Sequence, residues 1–272
     1  WAIHEQFASL LPGTPWVDEV IIIDKKQLKS PSYLWNLRKE LHSRHFDMTL
    51  DLQCIAKSAI VSLLSGSPEK YGYWELREGS QLVNKALVGA HKYDHVIERY
   101  LDTVRALGGE VDGVEFPMPH DHAAEGKIRN RLSELGVTDD YVVVVPGARW
   151  IVKEWPLLNF GELCIRLCES GKKVVIAGSP DDSEKGQFIE NYVKSDNLIN
   201  LVGQTTMAEL IELIRHCHIF ISADTGPLHI ANALKKPLIA LFGTTSPHRT
   251  GPYGGSHVHL IISPTSKATP EQ

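Results

Sequence analysis

The sequence predicts an α/β protein with parallel sheets, because short apolar runs alternate with helical patterns along most of its length. The runs have the length and the β-branched composition of buried strands, as in Tyr141–Val145. A stretch at 111–122 lacks periodicity and contains Pro117 and Pro119, which indicates a connection between domains. We therefore predict two domains, 1–116 and 123–272, joined by a linker at 117–122.

Each half contains several strand and helix patterns. The first half predicts strands at 17–23, 46–52 and 71–73 and helices at 32–42, 57–64 and 95–107. The second half predicts strands at Tyr141–Val145, 173–177, 198–201, 219–221 and Leu238–Phe242 and helices at 123–135, 160–170, 182–194, Met207–His216 and 228–234. In the helix at 95–107, the spacing of Val96, Tyr100, Val104 and Leu107 predicts an apolar stripe.

The composition is that of a globular protein without a basic, nucleic-acid-binding surface. The chain has 272 residues, 43% of them hydrophobic and 22% charged, and a net charge of −5. The sequence has no apolar run of about 18 residues, the length of a membrane-spanning helix, and no visible signal peptide. The cysteines at 54, 164, 168 and 217 show no C-x-x-C spacing, so we expect reduced, packed thiols.

The stretch at 219–254 predicts a βαβ unit with polar residues in its turns. Asp224, Thr225 and Gly226 follow its first strand, and 243–247 follows its second. Parallel strands joined by a helix end at one sheet edge, where open α/β sheets bind ligands. The helix that begins near Pro227 suits an anion such as a diphosphate, and Asp224 suits sugar hydroxyls. In the alternative interpretation, Asp224 only caps this helix and Gly226 only permits the turn.

Two further loops of the second half carry charged residues after a strand. Arg149 and Lys153 follow Tyr141–Val145 and could bind phosphate oxygens, Arg149 as a fork and Lys153 as a point charge. Both could instead be solvated loop cations. Asp182 and Glu184 follow the strand at 173–177, where a carboxylate suits ribose hydroxyls. Both also suit the first turn of a helix, whose dipole favours acids.

Three segments together resemble one family. The run D-T-G-P-L-H-I-A-N-A-L-K-K-P-L-I-A-L-F-G-T-T-S-P at 224–247 closely resembles the C-terminal signature of glycosyltransferase family 9, the heptosyltransferases of lipopolysaccharide core assembly. The run P-G-A-R-W-I-V-K-E-W-P at 146–156 resembles the family's P-G-A-x-x-x-x-K-x-W-P. The segment at 50–58 resembles its D-L-Q-G-x-x-K-S, except that Cys54 replaces the glycine. The resemblance covers nearly the whole chain and implies a GT-B fold, two Rossmann-like domains with parallel sheets facing an interdomain cleft.

The resemblance also implies site residues. Lys153 would offset negative charge on the departing nucleoside diphosphate, and Asp224 with Thr225 and Gly226 would hold the donor sugar and its phosphates. An acidic ribose contact falls on Asp182 or Glu184. The donor set so predicted is Gly147, Arg149, Lys153, Asp182, Glu184, Asp224, Thr225, Gly226, His229, Gly243 and Thr244. His229 either reaches phosphate or fills a packed position. Lys57 either contacts an anionic acceptor or is a solvated lysine at a helix start.

The sequence departs from the family at both ends. The family's general base, an aspartate in the first βα loop, has no counterpart in this chain, which begins at Trp1 after that point, so we assign no base. Asp51 is a conceivable substitute, although nothing in its spacing favours it. The helix that returns to the first domain in GT-B proteins is expected to be missing after Ser263, with a tail at 264–272. We see no D-x-D and no clustered ligand set, and we predict no metal and no cofactor beyond the ADP-sugar donor.

The favoured function is therefore an inverting glycosyltransferase that moves heptose from ADP-heptose to a lipopolysaccharide core acceptor. The alternative is a non-catalytic nucleotide-sugar-binding protein of the same fold, which keeps the donor site but lacks the base. A sugar-nucleotide epimerase would need a carboxylate pair and cations in the cleft that the sequence does not reveal. The lipid acceptor implies a cytoplasmic protein with peripheral contact at the cytoplasmic face of the inner membrane.

Overall fold

The structure is a computed structural model that describes residues 1–13, 15–138 and 140–263. The chain forms two compact units, Trp1–Ala8 with Glu19–Val114, and Ser9–Asp18 with the residues from Glu115 onward. Residues 117–122 group with the second unit, and the domain boundaries given above stay a prediction. The tail expected at 264–272 lies outside the described residues.

The first unit contains two small parallel sheets. Its strands are β1 (Ala2–Ile3), β2 (Ile21–Ile22), β3 (Met48–Asp51), β4 (Glu69–Tyr73) and β5 (Lys85–Leu87). Its α-helices are α1 (Pro31–His42), α2 (Ala56–Ser65) and α3 (Val96–Ala106). Strand β1 pairs with β2, and β3, β4 and β5 form the other sheet in that order. A core cluster of Ile21, Ile23, Leu28, Leu37 and Leu41 packs β2 against α1.

One prediction for this unit is wrong, and a second holds only in part. The strand expected at 17–23 is reduced to Ile21–Ile22, because its only strand partner among the described residues is the two-residue β1. The apolar stripe on α3 is packed at Val96 and Tyr100, which are half-buried, but Val104 and Leu107 are exposed and the fully buried residues of α3 are polar. One of them, Asp102, accepts hydrogen bonds from the His91 amide at 2.7 Å and from Arg105 at 3.0 Å. Satisfied polar groups can take the place of apolar packing on a helix face.

The second unit contains a doubly wound sheet. Its strands are β6 (Tyr141–Val145), β7 (Lys173–Ile176), β8 (Leu198–Asn200), β9 (Ile219–Ala223), β10 (Leu238–Phe242) and β11 (Val258–Ile262). Its α-helices are α4 (His122–Glu134), α5 (Leu157–Glu169), α6 (Ser183–Val193), α7 (Met207–His216), α8 (Gly226–Ala233) and α9 (Pro247–Thr250). The strands are parallel and lie in the order β11-β10-β9-β6-β7-β8.

Strand β6 shows why its sequence is a continuous apolar run. Val143 and Val145 pack with α4, α7 and α8 on one face of the sheet. Val142 and Val144 pack with α5 and α6 on the other face. A central parallel strand is buried on both faces, so every position is apolar. The four cysteines are free and buried, as predicted.

Candidate functional site

Several strands of the second unit end side by side at one edge of its sheet. The chain runs outward from β6 through β7 to β8, and then crosses to the other side of β6 with β9, β10 and β11. The order therefore reverses between β6 and β9. In doubly wound sheets, ligands bind in the crevice at such a switch point, outside the carboxyl ends of the strands. The loop after β6 carries Lys153, and the loop after β9 carries Asp224.

An ion pair joins these two loops. Lys153 Nζ lies 2.7 Å from Asp224 Oδ2, and Thr245, which follows β10, donates a hydrogen bond to the same oxygen at 2.8 Å. The Asp224 side chain is only 7% exposed, whereas that of Lys153 is 25% exposed. The buried carboxylate therefore holds an ammonium group at the switch point, while part of the lysine stays open to solvent. Thr245 was not among the predicted site residues.

The interpretation in which Asp224 only caps α8 and Gly226 only permits a turn is wrong. Thr225 is the N-cap of α8, and among the described residues no side chain makes the capping hydrogen bond. Gly226 is not in the left-handed region that favours glycine. A Cβ at Gly226 or at Gly243 would meet no atom within 4 Å. Both glycines border open space, which leaves room for a ligand to approach the backbone.

A second charge network joins the loops after β6 and β7. Asp182 accepts hydrogen bonds from the amide and the hydroxyl of Ser179, at 3.2 and 2.6 Å, and pairs with Lys185 at 2.9 Å. Burial alone would raise the pKa of Asp182, but these hydrogen bonds and the Lys185 charge hold it below its usual value. Lys185 also contacts Glu154, which accepts a hydrogen bond from the Ala148 amide at 3.0 Å.

Sequence reasoning missed Lys185 and Glu154, because each lies outside the motif positions that suggest chemistry. The same network explains why residue 147 is a glycine. A Cβ at this position would lie 2.1 Å from Asp182 Oδ1, so only glycine fits while that carboxylate keeps its place. Glu184, the other acid considered for the ribose, is exposed in the first turn of α6.

The remaining predicted donor residues lie on the surface of the same loops. Arg149 is exposed, and the carbon of its guanidinium group lies 5.7 Å from the ring centroid of Trp150. His229 is exposed on α8, so it does not fill a packed core position. The Thr244 hydroxyl donates a hydrogen bond to the backbone oxygen of Val152 at 3.1 Å, which joins the loops after β10 and β6.

In the first unit, Asp51 and Cys54 shape the turn between β3 and α2. Cys54, where the family motif has glycine, has a φ of 54°, in the left-handed region. Its thiol is fully buried and donates to the Asp51 backbone oxygen at 2.9 Å, and burial raises the pKa of Cys54 to about 12. Lys57 is exposed in the first turn of α2. The substitution of Cys54 for glycine therefore keeps the conformation that glycine favours.

A cluster of possible metal ligands lies at the N-terminus of α4. His120, His122 and Glu125 each offer a ligand atom, and these atoms lie within 4.8 Å of one another. No clustered ligand set was predicted from the sequence, although the H-x-H-x-x-E spacing of these residues could have signalled one.

The comparisons with known proteins agree with the fold and with these loops. The chain matches the model of glycosyltransferase family 9 (heptosyltransferase) over residues 34–272. Lipopolysaccharide heptosyltransferase 1 of Pseudomonas aeruginosa is 27% identical over 96% of this chain and 74% of its own length. Lipopolysaccharide heptosyltransferase 2 of Escherichia coli is 29% identical over 83% of this chain and 67% of its own length.

Solved structures of a heptosyltransferase and of another family 9 glycosyltransferase are also similar to this chain. The ADP-heptose lipopolysaccharide heptosyltransferase II of E. coli has a TM-score of 0.80 and 26% identity, over 98% of this chain and 82% of that one. A family 9 glycosyltransferase of Veillonella parvula has a TM-score of 0.84 at 22% identity, over 96% of this chain and 76% of that one, and supports the fold.

The parallel α/β fold, the family match and the similarity to a solved heptosyltransferase structure together identify this protein as a glycosyltransferase of the GT-B class, as predicted. The chain belongs to glycosyltransferase family 9, the heptosyltransferase family. None of the helices in the described ranges has both the length and the apolar character needed to cross a membrane.

Proposed function

We propose that this protein transfers heptose from ADP-heptose to a lipopolysaccharide core acceptor, with inversion at the anomeric carbon. The observation that carries the proposal is the Lys153–Asp224 ion pair at the switch point of the second sheet. An ammonium group there suits a diphosphate, and a carboxylate suits sugar hydroxyls. The similarity to the ADP-heptose lipopolysaccharide heptosyltransferase II of E. coli supports the choice of donor.

In the proposed reaction, an acceptor hydroxyl attacks the anomeric carbon of the donor. A carbon–oxygen bond forms to the acceptor, the bond from the anomeric carbon to the diphosphate breaks, and ADP leaves with the negative charge. Lys153 stabilises that charge as it develops. The proton of the acceptor passes to a general base that we do not assign to any residue of this sequence.

The proposed donor site consists of the loops after four neighbouring strands, β10, β9, β6 and β7. Its residues are Gly147, Arg149, Lys153, Asp182 or Glu184, Asp224, Thr225, Gly226, His229, Gly243 and Thr244. Lys57 is the proposed acceptor contact in the first unit. A cytoplasmic location with peripheral contact at the inner membrane, which the lipid acceptor implies, belongs to the same proposal.

The test is a calorimetric titration of the purified protein with ADP and with UDP, repeated for Lys153→Ala. We expect selective binding of ADP that weakens about tenfold or more in the variant, since one charge-assisted hydrogen bond contributes about 1.5–3 kcal/mol. Lys172→Ala is the matched control. Lys172 also pairs with an aspartate, Asp140 at 2.9 Å, but at the opposite edge of the same sheet, before β7 and β6 begin.

Absence of binding to either nucleotide, or equal weakening in both lysine variants, would refute the proposed site. A second measurement, release of ADP from ADP-heptose in the presence of a lipopolysaccharide core acceptor, separates the enzyme from its alternative. Selective ADP binding without turnover would favour a non-catalytic nucleotide-sugar-binding protein.

A further inference from the structure

Two histidines and a glutamate converge at the N-terminus of α4, outside the donor loops. His120 Nε2 lies 2.9 Å from Glu125 Oε2, and His122 Nδ1 lies 3.6 Å from the same oxygen. In a tetrahedral site with ligands at about 2.1 Å, neighbouring ligand atoms lie about 3.4 Å apart. The two separations fall on either side of that value, so these side chains can take up the geometry of a metal site with small movements.

A third histidine reaches the cluster from α7. His216 Nε2 lies 3.0 Å from Glu125 Oε1. This nitrogen is buried, yet it makes no hydrogen bond of acceptable geometry within the part of the chain that the structure describes. His216 lies outside the group of ligand atoms that His120, His122 and Glu125 form, so it borders the cluster through Glu125 and is not counted among its ligands.

A buried carboxylate also lies beside the cluster. Glu212 on α7 is 1% exposed and lies 3.7 Å from His120 Nε2. It is held by Arg215 Nε at 2.8 Å and by the Asp121 amide at 3.2 Å. Glu212 faces the same nitrogen of His120 as Glu125 does, so it is a second carboxylate beside the cluster and does not orient the ring through its other nitrogen.

The alternative is a set of hydrogen bonds and ion pairs between these histidines and Glu125 without a metal ion. The ring centroids of His120 and His122 are only 4.2 Å apart, and both rings lie beside one carboxylate oxygen. Two imidazoles and one carboxylate are a ligand set that zinc binds in proteins.

We propose that His120, His122 and Glu125 bind one divalent transition-metal ion of the zinc class. The ion would lie at the beginning of α4, beside Glu212 and His216 near the end of α7. Because α7 ends just before β9 begins at Ile219, the site lies near the amino-terminal edge of the second sheet, opposite the strand ends that carry Lys153 and Asp224. Its role is to stabilise the second unit.

The experiment is a calorimetric titration of metal-free protein with Zn²⁺, with the absorption spectrum of the Co²⁺ form as a measure of geometry. We expect one equivalent of Zn²⁺ and a tetrahedral Co²⁺ spectrum. The double variant His120→Ala/His122→Ala should weaken binding by more than the roughly 10–100-fold that loss of a supporting residue causes. His259→Ala is the control, since His259 is exposed on β11 and outside the cluster.

Glu125→Gln separates ligation from folding, because it keeps the shape of the side chain and removes its charge. Zn²⁺ should raise the thermal unfolding midpoint of the parent and of His259→Ala, but not that of Glu125→Gln. A parent protein that binds no Zn²⁺, or binds it no more tightly than the double variant, would overturn the proposal. So would equal thermal stabilisation of Glu125→Gln and the parent.

Discussion

Each unit places a buried aspartate where a parallel strand ends, and the two aspartates have different partners. Asp51, at the end of β3, is 6% exposed, and Asp224, just after β9, is 7% exposed. Neutral donors surround Asp51, namely the amides of Gln53 and Cys54, the hydroxyl of Ser58 and the amide side chain of Asn84, all at 2.9–3.0 Å. Asp224 instead contacts the ammonium group of Lys153 and the hydroxyl of Thr245, from two other strand-end loops.

Asp51 is a structural carboxylate, whereas Asp224 is a carboxylate of the candidate site. Both oxygens of Asp51 accept hydrogen bonds from its own turn and from neighbouring elements, which fixes the path from β3 to α2. Asp224 holds a partly exposed cation at a switch point, where a phosphate can compete for that cation. Position at a strand end is therefore not enough to define a functional aspartate, and the charge and origin of its partners decide the role.

The largest expected effect is on stability, from Asp51→Ala. Several donors lose their acceptor in a buried turn, and each unsatisfied donor costs about 1–3 kcal/mol, so we expect the free energy of unfolding to fall by about 3 kcal/mol or more. Urea denaturation followed by circular dichroism measures it. Asp47→Ala removes an exposed carboxylate just before the same strand and should change stability by less than about 0.5 kcal/mol. Equal effects would contradict the structural role of Asp51.

Asp224→Ala should show the opposite profile. Lys153 can be solvated when its partner is lost, so stability should change by only about 1 kcal/mol. If Asp224 holds the donor sugar, kcat/KM for ADP-heptose should fall about 30-fold, or ~2 kcal/mol. ADP, which lacks the sugar, should bind with nearly unchanged affinity in a calorimetric titration. A variant that loses stability as Asp51→Ala does, while keeping its transfer rate, would remove the distinction between the two aspartates.

A smaller effect tests the turn that Asp51 holds. Cys54 is in the left-handed region, where a side chain costs about 1 kcal/mol relative to glycine. Cys54→Gly should therefore be more stable than Cys54→Ala by about that amount in urea denaturation, although both lose the same buried thiol. Cys168 in α5 is the control, because in a helix glycine is less stable than alanine by about 1 kcal/mol. If the glycine and alanine variants had the same order of stability at both positions, the backbone strain assigned to Cys54 would be contradicted.

The sequence predicted the six-stranded sheet of the second unit better than the two small sheets of the first unit. Leu238–Phe242 and Met207–His216 have the predicted bounds, because long apolar runs and helical periodicity are strong local signals. Strand β5 was not predicted, since Lys85–Leu87 is short and partly exposed at a sheet edge. For the site, the rule that parallel strands end at one edge predicted which loops meet. It could not predict that Asn84 reaches Asp51, or that Thr245 reaches Asp224, because such pairs depend on packing between distant segments.

The smallest expected effect concerns the hydroxyl that supports Asp224. Thr245→Val keeps the shape of the side chain and removes one hydrogen bond at 2.8 Å, while the Lys153 ion pair remains. A hydrogen bond of this kind contributes about 0.5–1.5 kcal/mol, so kcat/KM for ADP-heptose should fall about threefold to tenfold. Thr244→Val, which loses a hydrogen bond to Val152 instead, should have a smaller effect. Equal losses of kcat/KM in the two variants would mean that the loop as a whole, rather than the Asp224 contact, limits transfer. Thr245 would then not belong to the set of partners that distinguishes Asp224 from Asp51.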